Sequence, residues 1–146
     1  MPHIKIISVG RIKEKYIQAG IDVYQKRMSN RRVELIEIKD FGKAKEGEKI
    51  ISLLEKAKDL FIVALDEHGR EFTSTEFSEF LKKNLNNNIC FVVGGPDGLD
   101  KSILQKADKI ISLSRMTFTH EMARLFLMEQ IYRGFSIMNG KKYHRS

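Results

Sequence analysis

The chain is poor in several residue types that would mark particular protein classes: one cysteine, two prolines and no tryptophan in 146 residues. A single thiol forms no internal disulfide, and Cys90 sits inside the apolar run "NICFVV", which makes it a small core residue and not a redox centre. No apolar run is long enough to span a membrane. The start, "MPHIKIISVG", has neither the cationic opening nor the cleavage pattern of a secretory signal, so the expected compartment is the cytoplasm. The histidines His3, His68, His120 and His144 stand at no ligand spacing with acids or with Cys90, and no metal is expected. Internal repeats, low-complexity segments and linkers are also missing, so residues 1–146 read as one domain with 42% hydrophobic residues for its core.

Acidic residues are in deficit. The formal net charge of +7 points to a polyanionic partner, though composition alone does not name it. From Arg133 onward, "RGFSIMNGKKYHRS" carries Arg133, Lys141, Lys142 and Arg145 and no acid. A second basic set, Arg11, Lys13, Lys15, Lys26, Arg27, Arg31 and Arg32, surrounds the first predicted helix, where individual lysines read as a solvated face.

What is present is a regular change of hydrophobic period. "HIKIISV" predicts a strand, and Ile17, Ile21, Tyr24 and Met28 then recur at helical spacing. "RVELIEI" alternates like a strand with one wet face, and Ile50, Ile51, Leu53, Leu54 and Ala57 mark an amphipathic helix; "DFGKAKEGE" between them is the loosest stretch. "LFIVAL" and "NICFVV" are continuous β-branched and aromatic runs, suited to strands buried on both faces. Thr73 and Glu76 have capping-box spacing, with Phe72 and Phe77 as the hydrophobic staple, and Asp100 is a predicted N-cap for "KSILQKAD". "KIISLS" is a fifth strand, followed by a long helix over Thr119 to Met138. This alternation predicts an α/β fold: a mainly parallel sheet with helices on both faces. The last helix is apolar on more than one side, which suits either a core helix or one that meets a second subunit.

The glycine turn in "FVVGGPDGLDKS" matches neither the phosphate-binding P-loop nor the dinucleotide fingerprint, and Pro96 removes an amide that an anion cradle would use. By itself it is ordinary turn chemistry. It gains meaning beside "LDEHGRE" after Leu65 and "SRMTFTH" after Leu113, since ligands of parallel sheets bind beyond the carboxyl ends of the strands. If the three strands are neighbours, their loops line one pocket of backbone amides and apolar side chains with hardly any fixed charge, suited to adenine. Met116 and Phe118 are either walls of that pocket or, as side chains of this type more often are, core.

The segments "FVVGGPDGL", "LSRMTFTHEMARLFLMEQIYRG" and "YHRS", with "IISVGRIKEKY" and "LDEHGREFTSTEF", resemble the bacterial ribosomal RNA large-subunit methyltransferase H family over essentially the whole chain. The resemblance implies a SPOUT-class enzyme with a C-terminal trefoil knot. It also implies a homodimer that uses S-adenosylmethionine to methylate N3 of a pseudouridine in 23S rRNA, on the assembled ribosome. It places the cofactor on Leu65, Gly94, and Leu113, Ser114, Arg115, Met116, Thr117 and Phe118. Gly94 and Gly95 would then let the main chain approach the ligand without a Cβ in the way. Tyr143 and His144 are the candidate catalytic pair, an aromatic ring and an imidazole in a cationic tail; a frayed terminus is the plain alternative. Arg124 and Arg133 would contact RNA phosphates or a neighbouring subunit, Arg133 more in keeping with RNA, and His120 would be structural. The chain departs from the family at Thr119, where relatives have proline and where a threonine can cap the helix instead, and it is shorter around residues 40 to 50. A non-catalytic basic ribosome- or RNA-binding module would keep the tail and fold but gain nothing from the cofactor. A nucleotide-binding regulator is disfavoured by the mismatched phosphate motifs.

Overall fold

A computed structural model of the chain describes residues 3–57 and 59–145. Ten elements alternate along it: β1 (His3–Val9), α1 (Lys15–Arg27), β2 (Arg32–Ile38), α2 (Lys43–Glu55), β3 (Leu60–Glu71), α3 (Ser74–Asn84), β4 (Asn88–Val93), α4 (Lys101–Lys106), β5 (Lys109–Ser112) and α5 (His120–Met138). The five strands form one parallel sheet in the order β2-β1-β4-β3-β5. The predicted α/β class is therefore the one observed.

Strand alternation sorts the core into two layers. Ile4, Ile6, Ile89, Phe91 and Val63 meet α1, α3 and α5, whereas Ile7, Val9, Cys90, Val92, Ile62 and Ala64 meet α2 and α4. Strands β4 and β1 carry buried side chains on both faces because they lie in the interior of the sheet. β2 is an edge strand, so its charged residues Arg32, Glu34 and Glu37 remain exposed, as its alternating pattern predicts. Cys90 is fully buried, and burial pushes its thiol up to about 12, which leaves it inert as a nucleophile.

Local signals explain most helix starts. The Thr73 hydroxyl accepts the Glu76 N–H at 3.1 Å while the Glu76 carboxylate accepts the Thr73 N–H at 2.8 Å, so the capping box is complete. Those bonds hold the Glu76 carboxyl below its ordinary value. Phe72 packs on Phe80, 5.5 Å between centroids, and Phe80 in turn on Phe77 at 6.2 Å, so Phe80 links the two ends of the predicted staple. Asp100 caps α4 through the hydroxyl and amide of Ser102, at 2.6 and 3.1 Å.

Two boundaries differ from expectation. Helix α2 begins at Lys43, inside the stretch that reads as loose, because the buried Glu46 side chain turns back to accept the N–H groups of Phe41 and Gly42 at 3.1 and 2.9 Å. Strand β3 runs six residues past Leu65, to Glu71, where a loop is predicted. Leu65 and Arg70 both pair with Ile111, so residues 66–69 bulge out between them. Gly69 permits this, since a Cβ there would lie 2.6 Å from the Ile111 carbonyl carbon.

Candidate active site

Strands β4, β3 and β5 stand side by side, and a cleft of about 1030 Å³ opens between the segments that leave β4 and β5 and the start of the β3 bulge, Leu65 to His68. The condition set by the sequence, that these strands be neighbours, is met. Leu65, Gly94, Leu113 and Ser114 line the cleft, as do Met116, Thr117 and Phe118. Arg115 does not: its side chain is 90% exposed and lies 3.6 Å from Glu71, turned to the outer side of the loop.

Each wall is shaped by its own backbone chemistry. In the glycine turn the Gly98 N–H donates to the Gly95 carbonyl at 3.0 Å across Pro96 and Asp97, and Gly98 takes a φ of 79°. A Cβ on Gly94 would lie 2.6 Å from the Gly98 carbonyl carbon and 2.7 Å from its oxygen. Gly94 is thus required for the turn to close on itself, a reason different from the close ligand approach expected from sequence. In the next wall the Ser112 hydroxyl donates to the Ser114 carbonyl at 2.8 Å, and the Ser114 hydroxyl accepts the Met116 N–H at 2.9 Å. This folds residues 113–118 into a compact bend that leaves Met116 76% and Phe118 37% exposed, with Phe118 edge-on to Phe126 at 4.8 Å. Both side chains are therefore outside the core.

Thr119 ends the bend as the N-cap of α5, its hydroxyl accepting the Met122 N–H at 3.2 Å. Its φ of −61° is one that proline adopts freely. Losing a threonine cap costs about 1 kcal/mol, and restricting the unfolded chain with proline returns about 0.4–1 kcal/mol. Thr119→Pro is therefore expected to change unfolding free energy by less than about 1 kcal/mol, as read from denaturant titration.

The floor and mouth hold residues that sequence reasoning missed. The start of α1 contributes Glu14, Tyr16 and Ile17, and Lys43, Asp66, Glu67, Lys101 and His120 stand around the opening. The cleft is consequently more charged than expected, and its lining includes the buried Glu121 and, next to Leu65, Asp66. The start of α1 is fixed by Glu121, whose carboxylate accepts the N–H of Lys13 at 3.1 Å and that of Glu14 at 3.1 Å. Glu121 is buried, 7% exposed, and nothing in the sequence around it sets it apart from Glu129 on the same helix.

Burial works against the Glu121 carboxylate, but the amides of Glu14 and Lys13, together with His120 and Arg124, outweigh it and hold its pKa below the ordinary value. A depressed folded-state pKa stabilises fully above the unfolded value, about 4.3, and that contribution fades as pH falls through the folded value. Glu121→Gln should lower stability by about 2 kcal/mol near neutrality, the scale of a charged hydrogen-bond acceptor lost from a buried site. The deficit should shrink on acidification, measured as unfolding free energy against pH for both proteins.

Arg124 is turned inward, with its side chain 7% exposed; its guanidinium donates to the Gly10 carbonyl at 3.0 Å and to Glu37 at 2.6 Å. It ties α5 to the ends of β1 and β2 and is not available to RNA or to another subunit. Arg133 is likewise engaged, by Glu129 through its Nε at 2.8 Å and by His144 at 3.0 Å.

The tail is docked and not frayed. The Tyr143 ring lies edge-on to Tyr132 at 4.7 Å, its hydroxyl is 3.1 Å from that of Tyr24, and Arg133 stacks on it at 4.8 Å. Neither Tyr143 nor His144 lines the cleft. The cleft is at the first turn of α5 and the tail rests on Tyr132, twelve residues further along, about 18 Å on a helical rise. Within one chain the candidate catalytic pair and the residues expected to hold the cofactor are apart. Among the described residues no helix is long and apolar enough to cross a membrane, and no group of three or more His, Cys, Asp or Glu is placed to hold a metal.

Residues 2–144 match the family model described as "Predicted SPOUT methyltransferase". The chain is similar to the ribosomal RNA large subunit methyltransferase H of Caldicellulosiruptor bescii, with 43% identity over 97% of this chain and 99% of the relative. It is similar to the same-named protein of Clostridium kluyveri, with 39% identity over 98% and 99%. In fold it resembles a probable methylase family protein from Haemophilus influenzae, with a TM-score of 0.64 and 16% identity over 99% of this chain and 71% of that one. It also resembles AviRb, a SpoU methyltransferase from Streptomyces viridochromogenes solved with AdoMet, with a TM-score of 0.51 and 10% identity over 90% and 57%. Cleft, topology and full-length similarity converge: the chain belongs to the SPOUT methyltransferases, in the ribosomal RNA large subunit methyltransferase H family.

Proposed function

We propose that this protein transfers a methyl group from S-adenosylmethionine to N3 of a pseudouridine in 23S rRNA, on the assembled ribosome in the cytoplasm, and that it does so as a homodimer. The observation that carries the reading is the meeting of the β3 bulge, the glycine turn after β4 and the bend after β5 on one cleft of about 1030 Å³, just above the usual range of small-molecule sites and large enough to admit a nucleobase beside a cofactor.

The residues present suit this cofactor. Backbone amides and carbonyls of the 94–99 turn and the 113–118 bend provide pairing edges for adenine, and Leu65 and Leu113 provide apolar contact. Bound there, S-adenosylmethionine supplies an electrophilic methyl on a sulfonium. The protein's share is to align the acceptor nitrogen in line and to favour its anion.

The tail is the candidate for that second task. Burial, the Tyr24 hydroxyl and Glu129 all push the Tyr143 phenol upward, so it stays protonated and is no base. A guanidinium only donates, so the Arg133 contact at 3.0 Å makes His144 Nδ1 an acceptor and leaves the ring proton on Nε2. His144 then serves as a hydrogen-bond donor to the imide anion, while Tyr143 and Arg133 position it. Because the tail and cleft of one chain are about 18 Å apart, a second copy must bring its tail to the cleft. The exposed Met116 and Phe118 support such a contact. The knot belongs to the same reading: β5 lies beyond β3 from β4, a crossing that such a thread requires.

The test is methylation of ribosomes from cells lacking the protein, with nucleoside mass mapping of the 23S rRNA. Appearance of one N3-methylated pseudouridine, with the rate rising steadily through neutral pH as the imide ionises, is expected. No S-adenosylmethionine binding, or a product on another nucleotide, would overturn the assignment.

A further inference from the structure

The basic set around α1 is unused by this mechanism, and its far end is built in a way that solvated lysines are not. The Arg27 guanidinium lies 5.4 Å from the Tyr24 ring centre and 5.5 Å from that of Tyr132, and the Arg31 guanidinium lies 4.3 Å from that of Phe135. The rings beneath are continuous: Tyr24 meets Tyr132 at 5.8 Å, and Tyr132 meets Tyr143 of the tail at 4.7 Å. Among the described residues neither Arg27 nor Arg31 has a carboxylate within salt-bridge distance, whereas Arg115, Arg124 and Arg133 each have one.

A guanidinium that lies over aromatic rings and has no carboxylate partner has lost part of its side-chain freedom in advance and keeps N–H donors for a ligand. That arrangement matches the bidentate geometry of a phosphate. We infer that Arg27, over the Tyr24 and Tyr132 rings that adjoin the tail, and Arg31, over Phe135 of α5, the helix that carries Tyr132, form a phosphate-gripping surface for the RNA strand flanking the methylated nucleotide.

This inference rests on the reading of the protein as an RNA methyltransferase with the tail at its active centre. Tyr24 is in contact with both Arg27 and Tyr143, so RNA that reaches the tail passes over this surface. The exposed Lys26, Lys141 and Lys142 extend the same positive field. The same forks fit carboxylates, so what favours RNA over an acidic protein is that the surface adjoins the tail through Tyr24, and polyglutamate competition separates the two.

The full chain is tested with Arg27→Gln/Arg31→Gln, which keeps most of each stem in place, and with Arg27→Lys/Arg31→Lys, which keeps the charge. The probe is the large ribosomal subunit from cells lacking the protein, with binding measured across a salt series. Removing two phosphate-neutralising charges should lower the slope of log affinity against log salt by about 1.5 and weaken binding by about tenfold or more at physiological salt. S-adenosylmethionine affinity and the thermal midpoint should stay at wild-type values. The lysine pair should keep the slope and recover part of the affinity. An unchanged slope in the glutamine pair overturns the inference, as does a lysine pair that loses as much slope, or competition by polyglutamate as strong as by RNA. Wild-type protein that binds the subunit but methylates nothing overturns the functional reading instead, while the slope still decides the role of this surface.

Discussion

Gly94→Val should weaken S-adenosylmethionine binding by about 10- to 100-fold and lower the thermal midpoint as well. A valine adds a Cβ where the Gly98 carbonyl carbon already stands 2.6 Å away, and the atom it meets is main chain, so no side-chain rotation relieves the clash. Overpacking of this kind costs about 1–3 kcal/mol or more, and about 3 kcal/mol corresponds to roughly 100-fold in an equilibrium constant. Part of the penalty falls on the fold and part on the cleft wall that the turn forms. Gly95→Ala separates the two readings of this turn. Its Cβ would meet only the Val9 side chain, with Cγ1 at 3.0 Å, an atom that can shift by a few tenths of an ångström. Calorimetry with the cofactor should therefore find a loss under about tenfold for Gly95→Ala, the equivalent of about 1.4 kcal/mol. Equal losses at both positions would mean that ligand approach, and not turn closure, sets the need for glycine.

Truncation after Gly140 should reduce methyl transfer to ribosomes by about 100- to 1000-fold, the scale of one lost donor to a developing anion, while cofactor affinity changes little. The tail makes no part of the cleft in its own chain, so its removal leaves the cofactor walls as they are. It does remove His144 and the Tyr143 ring that backs Arg133. His144→Ala should reproduce most of the loss in single-turnover rate. Tyr143→Phe should cost less, since it keeps the ring against Tyr132 and Arg133 and loses only the hydroxyl's hydrogen bonds, chiefly that to Tyr24. Mixed dimers of a truncated chain and a Gly94→Val chain give the sharpest check. If cleft and tail come from different copies, one intact pair of cleft and tail survives in the mixture and activity returns. Failure to complement would return the active centre to a single chain and remove the tail from it.

The acid-sensitive anchor at Glu121 and the tolerance expected of Thr119 concern the same small region from opposite sides. Thr119 acts within one helical turn, so its replacement is a local exchange of one cap for a fixed φ. Glu121 holds the start of α1, more than a hundred residues away in sequence, against the mouth of the cleft. Its loss should be felt in the position of a whole helix.

Signals that act over a few residues were legible in the sequence alone. The strand runs of β1, β2 and β4, the capping box of Thr73 and Glu76, the Asp100 cap and the start of α5 depend on side chains within four positions of the backbone they satisfy. The gathering of glycine turn, bend and Leu65 around one cleft was legible too, but only as a condition on strand order. Contacts that join distant segments were settled by tertiary structure. Arg124 has its carboxylate partner 87 positions away and Glu121 its amides 107 and 108 away, and no pattern in either neighbourhood announces them. The same holds for Met116 and Phe118, whose apolar character suits core until the bend turns them outward, and for Arg27 and Arg31, members of a basic set whose pattern does not show the aromatic rings beneath them. Local chemistry decides which elements form. Only the packing of those elements decides which polar groups are buried together, because the cost of leaving a buried charge unpaired is paid in three dimensions and not along the chain.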